Sequence, residues 1–385
     1  MRVAHVSDCY LPRTGGIELQ VRGLAHAELA AGYQPEIITA TPASRKQAII
    51  PGEIDEGVPI RRLAVRLPAQ LPVTPHVGAR LRELLLANAD VVHVHGGLAS
   101  PFAWPALRVA VRAGLPAVVS VHSVWGGWSG SVGALNAITK WRSWPVRWTA
   151  VSDVAAAPVR AALRGAAQVR VLPNGIDVEA WRPPTRRPEL GELSQLGEPE
   201  QMVVVSVARF APRKRMRTLV EMMLLAQRRL PTRVRLRGIL IGDGPERARV
   251  EHYLRRRGVE WIQCVGWQTH DQIRAIYAGA DVFVAPALLE SFGIAALEAR
   301  TFGLPVIAMA DSGTAQFIRE GREGLLAADD EGIAQALFEL GARPQLRTTI
   351  AEHNRSTEPE FSWPKIVAQA GECYEQAIAL RRDAG

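Results

Sequence analysis

The sequence predicts an α/β protein made of two doubly wound domains. Three observations support this fold class. Short apolar runs alternate with longer helical patterns, this alternation starts again in the second half of the chain, and a proline-rich, charged stretch separates the two halves. Strands that alternate with helices indicate a parallel sheet with right-handed crossovers. A length of 385 residues also exceeds what one ordinary core needs.

The individual elements follow from the spacing of apolar residues. In the first half, the predicted strands are Val3–Val6, Ile37–Thr41, Val91–His95, Val118–His122 and Thr149–Val151. In the second half, they are Met202–Val207, Ile239–Gly242, Ile262–Val265, Val282–Ala285 and Val306–Met309. The predicted helices are Leu19–Ala31, Leu219–Leu230, Arg247–Arg256 and the terminal Trp363–Arg382.

The domain boundary is predicted from the stretch RPPTRRP at residues 182–188 and the polar segment that follows it. We therefore expect a first domain at 1–181, a linker at 182–200, a second domain at 201–362 and a terminal helical segment at 363–385. Two open sheets in series leave a cleft at the carboxyl ends of their strands, where ligands bind.

Composition excludes several classes of protein. Apolar residues make up 48% and charged residues 22% of the chain, which is typical of a globular enzyme and not of a disordered chain. The three cysteines have no metal-binding or disulfide spacing, which favours a reducing cytosol. No apolar run is long enough for a signal peptide or a membrane span. The net charge is +8, and residues 1–180 hold 18 Lys and Arg against 12 Asp and Glu, so an anionic partner or a solubilising surface would both fit.

The segment Glu290–Glu298 carries the first chemical signal. It follows the predicted strand Val282–Ala285, and we expect a helix to begin at Ser291 or Phe292, because serine is a good N-cap. The free amides at such a helix end bind anions. A carboxylate on either side suits phosphates that lie between two hydroxylated sugars. Spacing alone equally permits a capping serine between two solvated carboxylates.

A second signal is Arg209-Phe210-Ala211-Pro212-Arg213-Lys214, directly after the predicted strand Met202–Val207. Arg209 and Lys214 lie where they could hold a diphosphate and stabilise it as a leaving group. The alternative is an ordinary basic surface loop.

In the first domain, two strand ends carry candidate residues. Gly15-Gly16 precedes a predicted helix and permits close approach of a phosphate, although the dinucleotide fingerprint G-x-G-x-x-G is absent. His122 ends another strand, where it could donate to or polarise a substrate hydroxyl. His93 and His95 compete for that role, and any one of the three could instead be structural.

Together these motifs resemble the retaining GT-B glycosyltransferases of family GT4 over essentially the whole chain. The resemblance rests on their order and spacing. The residues that carry it are Gly15-Gly16-Ile17-Glu18, His122, Pro173-Asn174-Gly175-Ile176-Asp177, Arg209, Lys214, Gly242-Asp243-Gly244-Pro245 and Glu290–Glu298. It implies the GT-B fold, with two Rossmann-like domains facing a central cleft and the terminal helix crossing back to the first domain.

The resemblance also implies how a nucleotide-sugar donor is bound. The groups expected at its phosphates are Arg209, Lys214, Gly15, Gly16 and the amides of Phe292, Gly293 and Ile294. Glu290 is expected at the hydroxyls of the donor sugar, Glu298 at the ribose, and Gly266 with Trp267 beside the base. His122 is expected near the reacting carbon, so the catalytic set is His122, Glu290, Arg209 and Lys214.

One segment departs from the family. Relatives often carry Gly-Gly and a downstream glutamate where this chain has Asp311-Ser312-Gly313-Thr314-Ala315-Gln316, so Gln316 stands in place of an acid. The implied reaction is transfer of a hexose from GDP-mannose or a UDP-hexose, with retention at the anomeric carbon. No D-x-D string occurs, so we expect no metal and no other cofactor.

The acceptor is expected in the first domain. Residues 138–148 read ITKWRSWPVRW, with Trp141, Trp144 and Trp148 interleaved with Lys140, Arg142 and Arg147. Further positive charge comes from Arg61, Arg62, Arg66, Arg80 and Arg82. This pattern suits an anionic membrane surface, hence a cytoplasmic enzyme, peripheral on the inner face, with a lipid-linked or glycan acceptor. The alternative is that the tryptophans belong to the core.

Other functions remain open at this point. A sugar-nucleotide epimerase or a phosphorylase uses the same fold, and a non-catalytic nucleotide-sugar binder belongs to a different class. The basic charge alone also permits nucleic acid, but no recognised nucleic-acid-binding module occurs, so we expect no nucleic-acid partner.

Overall fold

The computed structural model describes residues 1–13, 15–44, 49–64, 78–126, 139–183 and 201–384. It divides into an N-terminal unit, Met1–Ile176 with Phe361–Gly385, and a C-terminal unit, Asp177–Glu360. The first unit therefore ends ahead of the boundary predicted after residue 181. Residues 184–200 of the predicted linker lie outside the described part of the chain.

The N-terminal unit is built on one sheet. Its strands are β1 (Arg2–Ser7), β2 (Gln34–Thr39), β3 (Ile54–Asp55), β4 (Val58–Arg62), β5 (Val91–Gly96), β6 (Ala117–Val121), β7 (Val146–Ala150) and β8 (Val169–Val171). The sheet order is β3-β4-β2-β1-β5-β6-β7-β8, and every pair is parallel except β3 with β4. The helices between these strands are α1 (Gly16–Ala30), α2 (Gly78–Asn88), α3 (Ala103–Arg112) and α4 (Asp153–Leu163). The hydroxyl of Ser152 caps α4 by accepting a hydrogen bond from the Ala155 amide over 3.1 Å.

The C-terminal unit repeats this arrangement. Its strands are β9 (Gln201–Val207), β10 (Arg235–Ile241), β11 (Ile262–Gly266), β12 (Val282–Ala285), β13 (Val306–Met309) and β14 (Gly324–Ala327). They pair in parallel in the order β11-β10-β9-β12-β13-β14, which is the doubly wound order. The helices are α5 (Val178–Trp181), α6 (Met216–Arg229), α7 (Arg247–Arg256), α8 (His270–Ala278), α9 (Ile294–Thr301), α10 (Asp330–Ala342) and α11 (Pro344–Ser356).

The terminal helix α12 (Trp363–Asp383) belongs to the N-terminal unit. It packs against α1 and the strands β5, β6 and β7. Ile366, Val367 and Tyr374 share an apolar core with Val3 and Val91 of the sheet. The last helix therefore completes the core of the first unit.

The predicted α/β class with two doubly wound sheets is confirmed, although several element bounds differ. The strands β12 and β13 have the predicted ends, whereas β2 and β7 each begin three residues before the predicted start. The sequence prediction missed β3, β4, β8 and β14. No helix within the described ranges is both long and apolar enough to span a membrane.

Candidate active site

The candidate residues divide between the two units. His122, Gly15 and Gly16 lie in the N-terminal unit, and the other predicted donor-binding residues lie in the C-terminal unit. Because all the strands around β9 are parallel, their carboxyl ends meet at one edge of that sheet. The segments that follow β9 and β12 are therefore neighbours.

The segment after β9 is fixed by the glycine loop Gly242–Gly244. Backbone hydrogen bonds join Ala208 N to Ile241 O over 3.0 Å and Phe210 N to Asp243 O over 2.9 Å. At Gly242 a Cβ atom would lie 2.0 Å from Ala208 O, so only glycine fits this approach. The side chain of Arg209, which lies between these two bonds, is exposed.

Lys214 meets Glu290 across the edge of the sheet. Lys214 ends the short 3₁₀ turn Pro212–Lys214, and its Nζ forms a salt bridge with Glu290 Oε2. Both side chains are largely buried, with 21% and 17% of their surface exposed. Two residues predicted from separate motifs therefore form one ion pair.

The β12–α9 loop (residues 286–293) corrects one prediction. The helix begins at Ile294 with Gly293 as its N-cap, and not at Ser291 or Phe292. The reason is the backbone of Gly293, whose φ of 92° lies in the left-handed region that favours glycine. The alternative in which Ser291 caps the helix is therefore wrong. Glu290 lies further from the first helical turn than we expected.

Glu298 is buried inside α9 with 8% of its surface exposed. Burial raises its pKa to about 8, so this carboxyl group is protonated at neutral pH. The alternative of a solvated carboxylate is therefore wrong for Glu298. A neutral carboxyl group can both donate and accept a hydrogen bond, which suits a sugar hydroxyl.

Thr314 is a candidate that the sequence did not reveal. It is fully buried, and its Oγ1 is among the described buried polar atoms that lack a hydrogen-bond partner. A Cβ atom at Gly293 would lie 2.3 Å from this oxygen, so Oγ1 points at the start of α9. An unpaired hydroxyl beside free helix amides is chemically suited to a polar ligand. In the sequence, Thr314 appeared only as part of the segment that departs from the family.

The predicted base-binding pair lies at the end of β11. Gly266 has φ 77°, and Trp267 is 62% exposed. An exposed indole at a strand end is available for stacking.

The predicted phosphate loop of the N-terminal unit already holds a carboxyl group. Gly15 is the N-cap of α1, and Gly16 is the first helical residue and is exposed. Glu18 is buried in the first turn, and burial raises its pKa. Arg13 Nε lies 3.6 Å from Glu18 Oε1. Thr14, which lies between Arg13 and Gly15 in the sequence, is outside the described residues.

His122 belongs to a hydrogen-bonded row of side chains, Glu28, His5, His95 and His122, which we call the histidine row. His5 Nε2 lies 2.7 Å from Glu28 Oε2 and His5 Nδ1 lies 3.0 Å from His95 Nε2. His95 Nδ1 lies 3.1 Å from His122 Nε2. Burial lowers the pKa of His122 to about 4 and that of His95 well below its usual range. Sequence reasoning treated His93, His95 and His122 as competitors and missed His5 and Glu28, whose positions on β1 and α1 gave no signal.

His93 lies beside the row with its own partners. Its Nδ1 is 2.9 Å from Tyr374 OH and its Nε2 is 2.8 Å from Ser120 Oγ. The Tyr374 hydroxyl donates to Glu28 Oε1 over 2.5 Å. His93, His95 and His122 border a small cavity of about 20 Å³, which has room for one water molecule. His93 is therefore the structural histidine of the three.

The tryptophan and arginine stretch is largely internal. Trp141 and Trp148 are buried, with 7% and 2% of their surface exposed, and Arg142 Nε donates to Ala162 O over 2.6 Å. Trp144 is half-buried. Aromatic insertion at headgroup depth by Trp141 and Trp148 was therefore a wrong expectation, because these side chains fill the core. Ile138 and Arg66 lie outside the described residues.

Comparisons with known proteins agree with this architecture. The family model described as "Glycosyltransferase Family 4" matches residues 14–180, and "Glycosyl transferases group 1" matches residues 193–357. Crystallised Anabaena Alr3699/HepE in complex with UDP has the same fold, with a TM-score of 0.74 and 20% identity over 97% of this chain and 100% of that one. The fold is thus that of the GT-B glycosyltransferases.

Two curated relatives are similar in sequence. The lipopolysaccharide core biosynthesis glycosyltransferase LpsE of Rhizobium meliloti (strain 1021) is 36% identical over 40% of this chain and 44% of its own length. The GDP-mannose-dependent alpha-(1-6)-phosphatidylinositol monomannoside mannosyltransferase of Mycobacterium tuberculosis (strain CDC 1551 / Oshkosh) is 28% identical over 69% of this chain and 70% of its own length. This chain thus spans less than half of the first relative. The two family models, which match residues 14–180 and 193–357, show that the chain belongs to glycosyltransferase family 4.

Proposed function

We propose that this glycosyltransferase moves a hexose from a nucleotide-diphosphate sugar to a hydroxyl acceptor with retention of configuration and without a metal ion. The observation that carries the proposal is the meeting of Lys214 and Glu290 beside the left-handed Gly293 at the start of α9. A cation, a carboxylate and free helix amides then lie together at the carboxyl edge of one sheet. This is the set that a phosphorylated sugar requires.

In the proposed complex the diphosphate of the donor takes the place of Glu290 as the main partner of Lys214. Arg209, which is exposed at the same edge, adds a second cation, and the amides at the start of α9 add hydrogen bonds. Each well-placed donor of this kind stabilises developing charge by about 2.7–4 kcal/mol in a closed site. Cations fixed in this way supply the charge stabilisation for which other enzymes use a metal ion.

The two carboxyl groups, those of Glu290 and Glu298, have different proposed roles. Glu290, freed from Lys214, accepts hydrogen bonds from hydroxyls of the transferred hexose. Glu298, which is neutral at pH 7, exchanges hydrogen bonds with the ribose. Trp267 borders the base, for which both guanine and uracil remain candidates.

The proposed reaction is a front-face substitution. The bond from the anomeric carbon to the phosphate oxygen breaks, and the acceptor oxygen bonds to the same face of that carbon. The proton of the acceptor hydroxyl passes to the leaving phosphate oxygen. Arg209 and Lys214 stabilise the negative charge that this diphosphate gains.

A lipid-linked or glycan acceptor is the second part of the proposal. One relative is a lipopolysaccharide core biosynthesis glycosyltransferase and the other is a phosphatidylinositol monomannoside mannosyltransferase, which supports this class. Attachment to an anionic membrane from the cytoplasmic side would rest on exposed cations such as Arg80 and Arg82. Flotation with anionic vesicles tests this part, and no binding at low salt would contradict it.

Thermal denaturation with GDP, UDP, ADP and their sugar conjugates, with and without EDTA, tests the donor site. A ligand at about 100 times its Kd should stabilise the protein by about 2.7 kcal/mol. We expect one base to stabilise selectively, with no effect of EDTA and with loss of the shift in Lys214→Ala. No shift with any nucleotide would contradict the proposal. Binding without transfer to any acceptor would instead favour a non-catalytic binder.

A further inference from the structure

The hydrogen bonds of the histidine row run in one donor-to-acceptor direction, and this direction can be read from Glu28 at one end of the row. Neutral imidazole has one N–H donor and one bare nitrogen, so in a row of rings each bond fixes the next. Glu28, His5 and His95 are all buried, and the row lies wholly within the N-terminal unit. Its three bonds cross the adjacent strands β5 and β1 and reach α1.

The direction follows one bond at a time. An ionised Glu28 accepts at Oε2, so a neutral His5 carries its proton on Nε2 and its Nδ1 is bare. His5 Nδ1 then accepts from His95 Nε2, which leaves His95 Nδ1 bare. His95 Nδ1 in turn accepts from His122 Nε2. The remaining nitrogen of His122, Nδ1, is therefore a bare acceptor.

Tyr374 satisfies the other carboxyl oxygen of Glu28 and is not part of the row. Its hydroxyl donates to the other carboxyl oxygen, Oε1. Burial and the neighbouring Glu28 raise the pKa of Tyr374 well above its usual range, so the hydroxyl keeps its proton. The opposite direction would require either a second proton on His5 or a proton on Glu28 Oε2 that is donated to His5 Nε2.

Two imidazoles of the row, His5 and His95, also form with His93 the group within the described ranges that has metal-ligand spacing. Both nitrogens of each ring are already within hydrogen-bond distance of another side chain. A metal ion would have to break these bonds in a closed core. The hydrogen-bonded row therefore explains the cluster better than a metal site does.

We infer that Glu28, His5 and His95 are positioning residues that hold His122 with its proton on Nε2 and a bare Nδ1, so that His122 accepts a hydrogen bond from a substrate hydroxyl. His122 is then an acceptor, which is the opposite of the donating role that the sequence analysis considered for it. The contact with substrate rests on the proposed function, whereas the tautomer does not.

The tautomer can be measured without activity. Two-bond proton–nitrogen correlation spectra of protein labelled with ¹⁵N-histidine distinguish a protonated from a bare ring nitrogen. The chain has nine histidines, and the His122 signals are those absent from His122→Asn. We expect a protonated Nε2 and a bare Nδ1 on His122 at pH 7. A protonated Nδ1 would overturn the inference.

A matched pair of variants tests whether the row sets this tautomer. His5→Leu and Tyr374→Phe each remove one of the two side chains that donate to Glu28, but only His5→Leu breaks the row. We expect mixed tautomers of His122 in His5→Leu and an unchanged tautomer in Tyr374→Phe. Equal behaviour of the two variants would overturn the inference, and if His5→Leu does not fold, the wild-type spectrum still decides the direction.

Kinetics separates this inference from the proposed function. If the chain transfers a hexose, His5→Leu should lower kcat about 10- to 100-fold, as expected for loss of an outer-shell partner, and leave the Kd of the nucleotide unchanged. If the wild-type protein transfers no hexose while His122 shows the expected tautomer, the proposed function alone fails.

Discussion

The histidine row and the β12–α9 loop differ in whether their polar side chains already have hydrogen-bond partners. In the row, each bond between its members is made and the rings are buried or nearly so. Beside the loop, Thr314 Oγ1 has no partner, Glu298 keeps a proton that burial imposes, and Lys214 is paired with Glu290. The first region is organised before any ligand arrives, and the second has polar groups that a ligand would satisfy.

This contrast indicates where binding energy is gained. A preorganised group costs little further ordering when the substrate binds, so the row contributes orientation. The loop region contains an unpaired hydroxyl and a neutral buried carboxyl group, whose burial costs stability in the free protein. We therefore expect variants of the loop region to separate stability from activity.

The largest effect is expected for Lys214→Ala. If Lys214 stabilises the leaving diphosphate, kcat/KM should fall about 100- to 1,000-fold, as when one charge-stabilising donor is removed. Steady-state kinetics with the preferred donor measures it. Arg213→Ala, an exposed cation in the same turn, is the matched control and should change little. A loss of similar size in both variants would mean that Lys214 contributes only general positive charge.

Gly293→Ala is expected to affect both stability and binding. Its φ of 92° is strained for alanine, and the new Cβ would lie 2.3 Å from Thr314 Oγ1. The left-handed strain alone costs about 1–3 kcal/mol, and the clash adds to it. Gly321→Ala is the matched control, because Gly321 has φ 71° and no heavy atom within 4 Å of the added Cβ.

Urea denaturation compares these two variants. A loss of unfolding free energy that is larger for Gly293→Ala supports close packing of Thr314 against the start of α9. Equal losses would contradict that packing.

The third effect is expected for Glu298→Gln, and it is confined to the pH dependence of stability. Folded Glu298 keeps its proton up to a pKa of about 8, whereas its ordinary value is 4.5. Between these values the folded state binds more protons, so the unfolding free energy of the wild type falls as pH rises. Glutamine has no proton to lose, so the variant should gain stability relative to the wild type from about pH 5 to pH 8.

Thermal denaturation at several pH values measures this difference. Glu352→Gln, which replaces an exposed carboxylate, should show no such trend. A constant difference between Glu298→Gln and the wild type across this range would show that Glu298 is not a buried neutral acid. The same variant should bind the nucleotide more weakly if Glu298 contacts the ribose.

Local spacing predicted the two sheets well because buried parallel strands are continuous apolar runs. The strands β12 and β13 could be placed to the residue. In contrast, β4 was missed because it contains a proline and two arginines, and β14 because its Gly, Leu and Ala residues do not favour strands. The start of α9 was missed for a physical reason: a left-handed glycine displaced the serine cap, and nothing in the residue pattern indicates φ.

Some residues of the candidate site could be predicted from the sequence and others could not, depending on where they lie in the secondary structure. Lys214 and Glu290 are far apart in the sequence, but each follows a strand, and the order β9-β12 brings them together. His5 and Glu28 were not predictable, because a histidine in a strand and a glutamate in a helix resemble ordinary structural residues. Thr314 became a candidate only when its hydroxyl was found buried without a partner.

The most direct test of retaining hexose transfer is the stereochemistry of the product. GDP-mannose and UDP-glucose, both α-linked and labelled with ¹³C at the anomeric carbon, would be incubated with the enzyme and a panel of lipid-linked and glycan acceptors in the presence of EDTA. NMR then reports the configuration of the new bond. We predict an α-linked product from one of the two donors. A β-linked product would contradict retention, and transfer that occurs only without EDTA would contradict metal independence.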